Sequence, residues 1–345
     1  MIVVIVAGGS GTRLWPLSTP SYPKHLLVIN GDKRSLLQNT YHRVKPIADT
    51  VYVVTEKSHF AHVRSQLPEL KDSQFIVEPM RRGTANCIAL ALAYIQKSDV
   101  KDQPIAFVHA DHYIRDEAGF AYSLGVATAV SAQQRRLVLV GVEPDYPSTG
   151  FGYIEKGAML KNQNLAFSVA SFKEKPDFQT AQTYLKSGRY LWNCGYFIGS
   201  IEVFEKAMKE HAPDLFHNYR ALVAAPKDAE EKLYESFEQS AIDVTLIEKV
   251  PDLLVVPASF DWMDLGSFAD IAKAVGGDEA GNHTVGSVEL HDVQNSLVHN
   301  SEQKPVVVIG LDNIAVVNTT EGTLVTRKDQ SQLVGDIAKK LQSGR

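Results

Sequence analysis

Three glycines, an arginine and a lysine near the start of the chain are of the types and spacing that a polyphosphate site needs. The segment Gly8-Gly9-Ser10-Gly11-Thr12-Arg13 has no Cβ at three of its first four positions. Backbone N–H groups can therefore crowd round an anion there. Arg13 follows directly, and Lys24 stands in a Tyr-Pro-Lys run soon after. Two familiar phosphate loops do not fit. The Walker loop requires Gly-Lys-Ser/Thr after four intervening residues, and no lysine follows any of these glycines. The dinucleotide fingerprint requires a third glycine where, counting from Gly9 through Gly11, Leu14 stands. Read as residues alone, the segment is a polyphosphate cradle or an ordinary strand-to-loop turn.

Further along, Phe172-Lys173-Glu174-Lys175-Pro176 sets a compact cation beside an acceptor-only carboxylate, with proline stiffening the turn. The bland alternative is a solvated charge run. His109-Ala110-Asp111-His112 looks like part of a metallohydrolase cluster, but a second His/carboxylate group at ligand spacing is lacking. Only Cys87 and Cys194 are present, in different motifs, so neither a disulfide framework nor a zinc cluster is implied. The net charge of −5 argues against a nucleic-acid surface, so an anionic ligand needs locally placed positive charge.

The elements that must position these residues follow from hydrophobic pattern. Residues 2–6 are an unbroken β-branched run, too short for a helix, and read as a strand buried on both faces. Strand-like runs recur at 51–55, 75–78, 105–109 and 137–142, with a broadly apolar helix over 86–97. This alternation predicts an α/β fold, a Rossmann-like doubly wound and mostly parallel sheet with ligands beyond the carboxyl ends of its strands. With 345 residues, 44% of them hydrophobic, one large and one small domain are expected. The polar, glycine-rich stretch 276–282 divides domain 1–275 from a small β domain, 282–345. In the latter, short runs at 296–299, 306–309, 314–317 and 323–326 precede a final helix. A capping-box-like start at Asp329 opens that helix, and Leu333, Val334, Ile337, Ala338 and Leu341 are expected on one side of it. No long internal repeat is evident. No apolar run reaches ~18 residues and no charged leader precedes the first strand, so a cytoplasmic setting without a membrane is expected.

Taken together, GGSGTRLWPLS and YPKHLL resemble the signature of the sugar-1-phosphate nucleotidylyltransferases, most of all the mannose-1-phosphate guanylyltransferase branch. Phe172–Pro176 resembles the family's F-x-E-K-P motif and Trp192-Asn193-Cys194-Gly195-Tyr196-Phe197 its W-N-x-G-x-F segment. Phe260-Asp261-Trp262-Met263-Asp264-Leu265-Gly266-Ser267-Phe268 resembles W-x-D-x-G-S-W, with Phe268 in place of the last tryptophan. The resemblance covers nearly the whole chain, with its motifs in order. It implies a nucleotide-diphospho-sugar transferase fold with a left-handed β-helix in the small domain, for which dimerisation (a homodimer) is the expected role.

The implied reaction joins α-D-mannose 1-phosphate and GTP into GDP-mannose and pyrophosphate, with Mg²⁺. By resemblance, Gly8, Gly9, Gly11, Thr12 and Arg13 take the triphosphate, and Lys24 the α-phosphate or departing pyrophosphate. The same resemblance places Glu78, with Gly83 and Thr84, on the base. A carboxylate suits guanine's adjacent N1–H and amino donors. Gly152, Glu174, Lys175 and Asn193 are implied for the sugar phosphate, and Asp111 and Asp264 for Mg²⁺, with Asp261 as a rival ligand. His112 is expected to orient its loop. His109 departs from the family's proline, and His25 stands where glutamine is common. Larger family members carry a cupin-type phosphomannose isomerase domain, for which this chain lacks residues, so a single activity is expected. Rival readings are a nucleotidylyltransferase for another hexose phosphate, such as glucose 1-phosphate with UTP or dTTP, and a non-catalytic GDP-mannose-binding regulatory homologue. Lys24, Lys175, Asp111 and Asp264 all stand in place, which counts against the latter.

Overall fold

Ile2–Ala7 (β1) is the expected strand, and alternate side chains enter two different cores because successive residues of a strand face opposite ways. Ile2, Val4 and Val6 pack with Ile88 and Leu92 of the helix Gly83–Gln96 and Tyr219 of the helix Pro213–Ala224. Val3, Ile5 and Ala7 pack with Leu37 and Tyr41 of the helix Leu36–Val44 and Phe120 and Leu124 of the helix Glu117–Gln134. Helices thus cover both faces, as a doubly wound sheet requires. The protein is seen here as a computed structural model that describes residues 1–9, 11–29, 33–98, 103–161 and 165–343. Ser10 of the glycine loop lies outside them.

The large sheet also contains Thr50–Glu56 (β2), Phe75–Glu78 (β3), Ile105–His109 (β4), Val138–Val142 (β5), Gly152–Met159 (β6), Phe167–Lys173 (β7), Tyr190–Gly199 (β8) and Leu254–Pro257 (β9). Their order is β3-β2-β1-β4-β8-β5-β9-β7-β6. The side β3-β2-β1-β4 is parallel, and so is the pair β5–β9. β8, by contrast, runs antiparallel to β4, β5 and β6, and β7 antiparallel to β6 and β9. The sheet is therefore mixed rather than mostly parallel. The link from Met159 to Phe167 is too short for a crossover, which takes a dozen residues or more, so β6 and β7 meet head to tail.

Beyond the glycine-rich boundary the chain alternates between two small sheets. His283–Val285 (β10), Leu297–Asn300 (β12) and Ile314–Thr319 (β14) are parallel neighbours, with Gly322–Arg327 (β15) antiparallel on β14. Val288–His291 (β11) pairs in parallel with Val306–Ile309 (β13). The same offset separates Val288 from Val306 and Leu297 from Ala315. The unit therefore repeats in space, although its sequence shows no evident repeat. Asn318 Nδ2 donates to Asn300 Oδ1 at 3.0 Å, Asn282 Nδ2 to the Val293 carbonyl at 2.7 Å and Asn300 Nδ2 to the Ser287 carbonyl at 2.9 Å.

A 3₁₀ turn, Lys328–Leu333, and not a capping box at Asp329, leads into the last helix, Val334–Ser343. The five apolar residues expected on one side of that helix divide: Val334 and Ala338 are buried, whereas Leu333, Ile337 and Leu341 are about half exposed. Val334 belongs to a core that also holds Leu14, Leu27, Phe268, Leu297, Ala315 and Val317. The small β unit is thus packed directly on the residues that follow the glycine loop. Among the described residues, no helix is long and apolar enough to cross a membrane.

Candidate active site

The loop after β1 is shaped by its glycines at two points. Gly9 (φ 103°) and Gly11 (φ 57°) have left-handed backbones, which residues with a Cβ rarely adopt. A Cβ on Gly11 would stand 2.6 Å from the backbone nitrogen of Lys24, so only glycine lets the Pro23–Leu26 turn lie against the loop. Above Gly8 and Gly9 the space is open, with nothing within 4 Å of where a Cβ would be. Thr12–Leu14 then forms a 3₁₀ turn anchored by the fully buried Leu14, which leaves the Arg13 side chain outward.

Lys24 is only 6% exposed, yet its Nζ lies 2.8 Å from Asp111 Oδ2 and 3.2 Å from Asp264 Oδ1, and it also donates to the main-chain oxygen of Asp264. Burial opposes the ammonium charge, but the two carboxylates outweigh it and hold the lysine above its ordinary value. Burial likewise opposes charge on Asp111, and Lys24, then His112 and His109, hold its carboxyl well below the usual carboxylate range. Arg13 Nη2 approaches Asp264 Oδ2 at 3.6 Å.

Two carboxylates far apart in sequence meet because Tyr113 and Met263 exchange backbone hydrogen bonds of 2.9 and 3.0 Å, clamping one segment to the other. Asp261 is excluded from this group. Its oxygens accept from the Arg115 and Asp116 amides at 2.9 and 2.8 Å and from Arg115 Nε at 2.9 Å. His112, buried and pushed down to about 3 by that burial, shares a hydrogen bond of 3.0 Å with the Tyr196 hydroxyl.

Gly8, Gly9, Gly11, Thr12, Arg13, Lys24, His25 and Asp111 line one cavity of about 180 Å³. Arg13, Leu265 and Gly266 also face a second, of about 1270 Å³, together with Asp264. The second cavity is walled by Tyr146, Phe151, Trp192 and Trp262, whose rings stack edge to face at 4.8–5.2 Å along the series Tyr146–Trp192–Phe151–Trp262. Nothing in the sequence marks these aromatics as a group. Their positions carry no spacing signal, since Tyr146 and Phe151 lie in a turn and the tryptophans in two other motifs.

Glu174, Lys175, Gly152 and Asn193 form a separate group that lines neither cavity. Gly152 pairs with Asn193 across β6 and β8, and a Cβ on Gly152 would stand 2.5 Å from Glu174 Oε2. That Oε2 is buried without a hydrogen-bond partner among the described residues, while Oε1 lies 2.9 Å from Lys175 Nζ. Lys175 has a left-handed backbone (φ 43°) and an exposed side chain. Asn193 Nδ2 donates to Asp243 Oδ1 at 2.8 Å, and Asn193 Oδ1 accepts from the Gly195 amide at 3.0 Å. Asp243, in the short helix Ile242–Thr245, is pushed up to about 6 by burial and then by the charge of Glu174. No pattern around Asp243 in the sequence marked it as a neighbour of Asn193.

The residues expected at the base stand at the same end of the sheet. Glu78 closes β3 and is buried; its Oε1 accepts from the Tyr234 hydroxyl at 2.5 Å and the Arg82 amide at 3.2 Å. Burial raises its carboxyl above the ordinary value. Both nearby arginine side chains are engaged elsewhere: Arg81 pairs with Glu56 at 2.6 Å, and Arg82 donates to the Glu235 carbonyl. Gly83 and Thr84 are occupied by the 240–242 segment. A Cβ on Gly83 would overlap the Ser240 carbonyl at 2.1 Å, and Thr84 Oγ1 accepts from the Ile242 amide at 2.9 Å.

Comparison with known proteins bears on the sequence and the fold. Residues 2–280 fit the family model described as nucleotidyl transferase. The chain is 35% identical over 352 residues to the xanthan biosynthesis protein XanB of Xanthomonas campestris pv. campestris (strain B100), spanning 99% of this chain and 73% of that protein. It is 35% identical over 356 residues to a mannose-1-phosphate guanylyltransferase of Salmonella montevideo, spanning 98% and 73% respectively. The crystal structure of a mannose-1-phosphate geranyltransferase from Thermus thermophilus is similar with a TM-score of 0.89 at 25% identity over 99% of each chain. With the glycine loop, its cations and the fold in place, the chain is a nucleotidyltransferase and belongs to the nucleotidyl transferase family.

Proposed function

We propose that this chain is a mannose-1-phosphate guanylyltransferase, transferring the guanylyl group of GTP to α-D-mannose 1-phosphate with release of pyrophosphate. The observation that carries the reading is the buried Lys24 ammonium, held between Asp111 and Asp264 at the wall of the glycine-lined cavity. Mannose and guanine are supported by relatives that bear that name at about one third identity.

A phosphate oxygen of the sugar phosphate attacks the α-phosphorus in line, and pyrophosphate leaves on the opposite side. That oxygen is already anionic at neutral pH, so no general base is required. The obstacle is charge repulsion between two anions, and the site's task is to neutralise and orient them. Gly8, Gly9, Gly11 and Thr12 offer backbone donors to the triphosphate, and Arg13 a guanidinium. Lys24, charged despite its burial, gains phosphate oxygens as partners when the triphosphate enters. Lys175 meets the incoming sugar phosphate, and the unpartnered Oε2 of Glu174 accepts from its hydroxyls, with Asn193 oriented by Asp243.

Asp111 and Asp264 present hard oxygens to one common point, now taken by an ammonium, and these would hold Mg²⁺. When bound, the metal supplies charge neutralisation at phosphate oxygens. Glu78 reads the base once the Tyr234 hydroxyl yields Oε1. The domains are read as 1–275 and 282–345. Alternation of parallel strands between two small sheets supports a β-helix for the second; its left hand rests on family resemblance.

The test is pyrophosphate release with each of GTP, UTP and dTTP against mannose 1-phosphate and glucose 1-phosphate. GTP with mannose 1-phosphate is expected to be fastest. Faster turnover of a glucose 1-phosphate pair would replace the substrate assignment, and tight GDP-mannose binding without turnover would make the chain a regulatory homologue.

A further inference from the structure

Arg13 is flanked by two glycines that come from distant parts of the chain. A Cβ on Gly266 would stand 3.0 Å from Arg13 Nη1; one on Gly335 would stand 3.0 Å from Arg13 Cγ and 3.6 Å from its Cα. Gly266 follows Asp264, whereas Gly335 sits in the first turn of the helix Val334–Ser343. The arginine, although its side chain is more than half exposed, thus passes between two residues without a Cβ, and that helix stands on one side of it. The same unit holds the residues that follow. Leu14 shares a core with Val334, and a Cβ on Gly322 would meet the Trp15 ring at 2.9 Å.

Nothing in the local backbone calls for glycine at 335, which is not among the positive-φ positions. Helix propensity argues against it, because glycine gives up more conformational freedom than alanine on entering a helix. The residue that suits the helix is the one that crowds Arg13.

We propose that Gly335 is a positioning residue for nucleoside triphosphate: by leaving room for Arg13, the last helix sets where the guanidinium stands and so how tightly the triphosphate is held. The inference rests on the reading of Arg13 as a triphosphate ligand. Gly335 touches no reacting atom on this account; it acts through the arginine.

The test compares Gly335→Ala, Gly335→Leu, Arg13→Ala and, as a control on the exposed side of the same helix, Lys339→Ala. The readouts are calorimetric binding of GTP and of inorganic pyrophosphate, KM for each substrate, and Tm. Gly335→Ala is expected to weaken GTP binding by about tenfold through displacement of Arg13, and Gly335→Leu by more. KM for the sugar phosphate should stay unchanged, and Tm in the alanine variant should stay equal or rise. Lys339→Ala should bind GTP as wild type does.

Wild-type GTP binding in both Gly335 variants, with loss in Arg13→Ala, overturns the inference alone. Equal weakening of both substrates with a lower Tm in Gly335→Ala overturns it too, since that marks a purely structural role. Undiminished GTP binding in Arg13→Ala removes the underlying reading of the loop, and the inference with it.

Discussion

A lysine that is 6% exposed keeps its charge because two carboxylates stand within 3.2 Å of it. Lys24→Ala should therefore do two things. Turnover should fall by ~10²–10³, the usual effect of removing one charge-stabilising group. Stability should also fall, by about 3 kcal/mol, because Asp111 and Asp264 would be left without their shared counter-ion. Denaturant unfolding checks the second effect. Mg²⁺ should raise Tm more in this variant than in wild type, because the freed oxygens suit a divalent ion.

Asp243 gives a pH signature of its own. Its carboxyl is pushed up to about 6, above an unfolded value near 3.9. The folded state therefore binds the extra proton between about pH 4 and 6, and stability falls as pH rises through that window, then levels off. Asp243→Asn should remove this slope and leave the protein more stable than wild type at pH 7, read as Tm against pH. An unchanged slope in the variant would assign it to another group.

The glycine loop shows how one element depends on another. Gly11 leaves the Lys24 backbone nitrogen room where a Cβ would stand at 2.6 Å, and its own backbone is left-handed. Gly11→Ala should accordingly cost on the order of 1–3 kcal/mol of strain or shift the turn that carries Lys24. The expected readout is a raised KM for GTP, with KM for the sugar phosphate unaffected. Lys175→Ala should show the converse, because its group of residues lines neither the glycine-lined cavity nor the aromatic-walled one.

Across the whole molecule, the glycine-rich stretch 276–282 does not interrupt the packing. Leu14, Leu27 and Phe268 share one core with Leu297, Ala315, Val317 and Val334. A protein ending at Val275 would expose that apolar surface beside its own glycine loop. It should be recovered largely insoluble, or soluble without measurable GTP binding. A soluble, GTP-binding fragment would show that the loop holds its form without the β unit.

The amino-acid sequence by itself determined the first strand, the strands at 75–78 and 105–109, and the glycine loop with its two cations. These are local properties: β-branched runs, missing Cβ atoms and charge at short range. It also determined the family, because its motifs follow one another in the expected order. The tertiary structure alone decided the rest. It made the sheet mixed, because β8 enters antiparallel between β4 and β5. It set Asp264, and not Asp261, beside Lys24 and Asp111, because Asp261 is occupied by the 115–116 amides. It joined Asp243 to Asn193, committed Gly83 and Thr84 to the 240–242 segment, and set the last helix against Arg13. Each of these is a contact between residues far apart along the chain, and neither hydrophobic period nor residue type encodes which distant partner a side chain will meet.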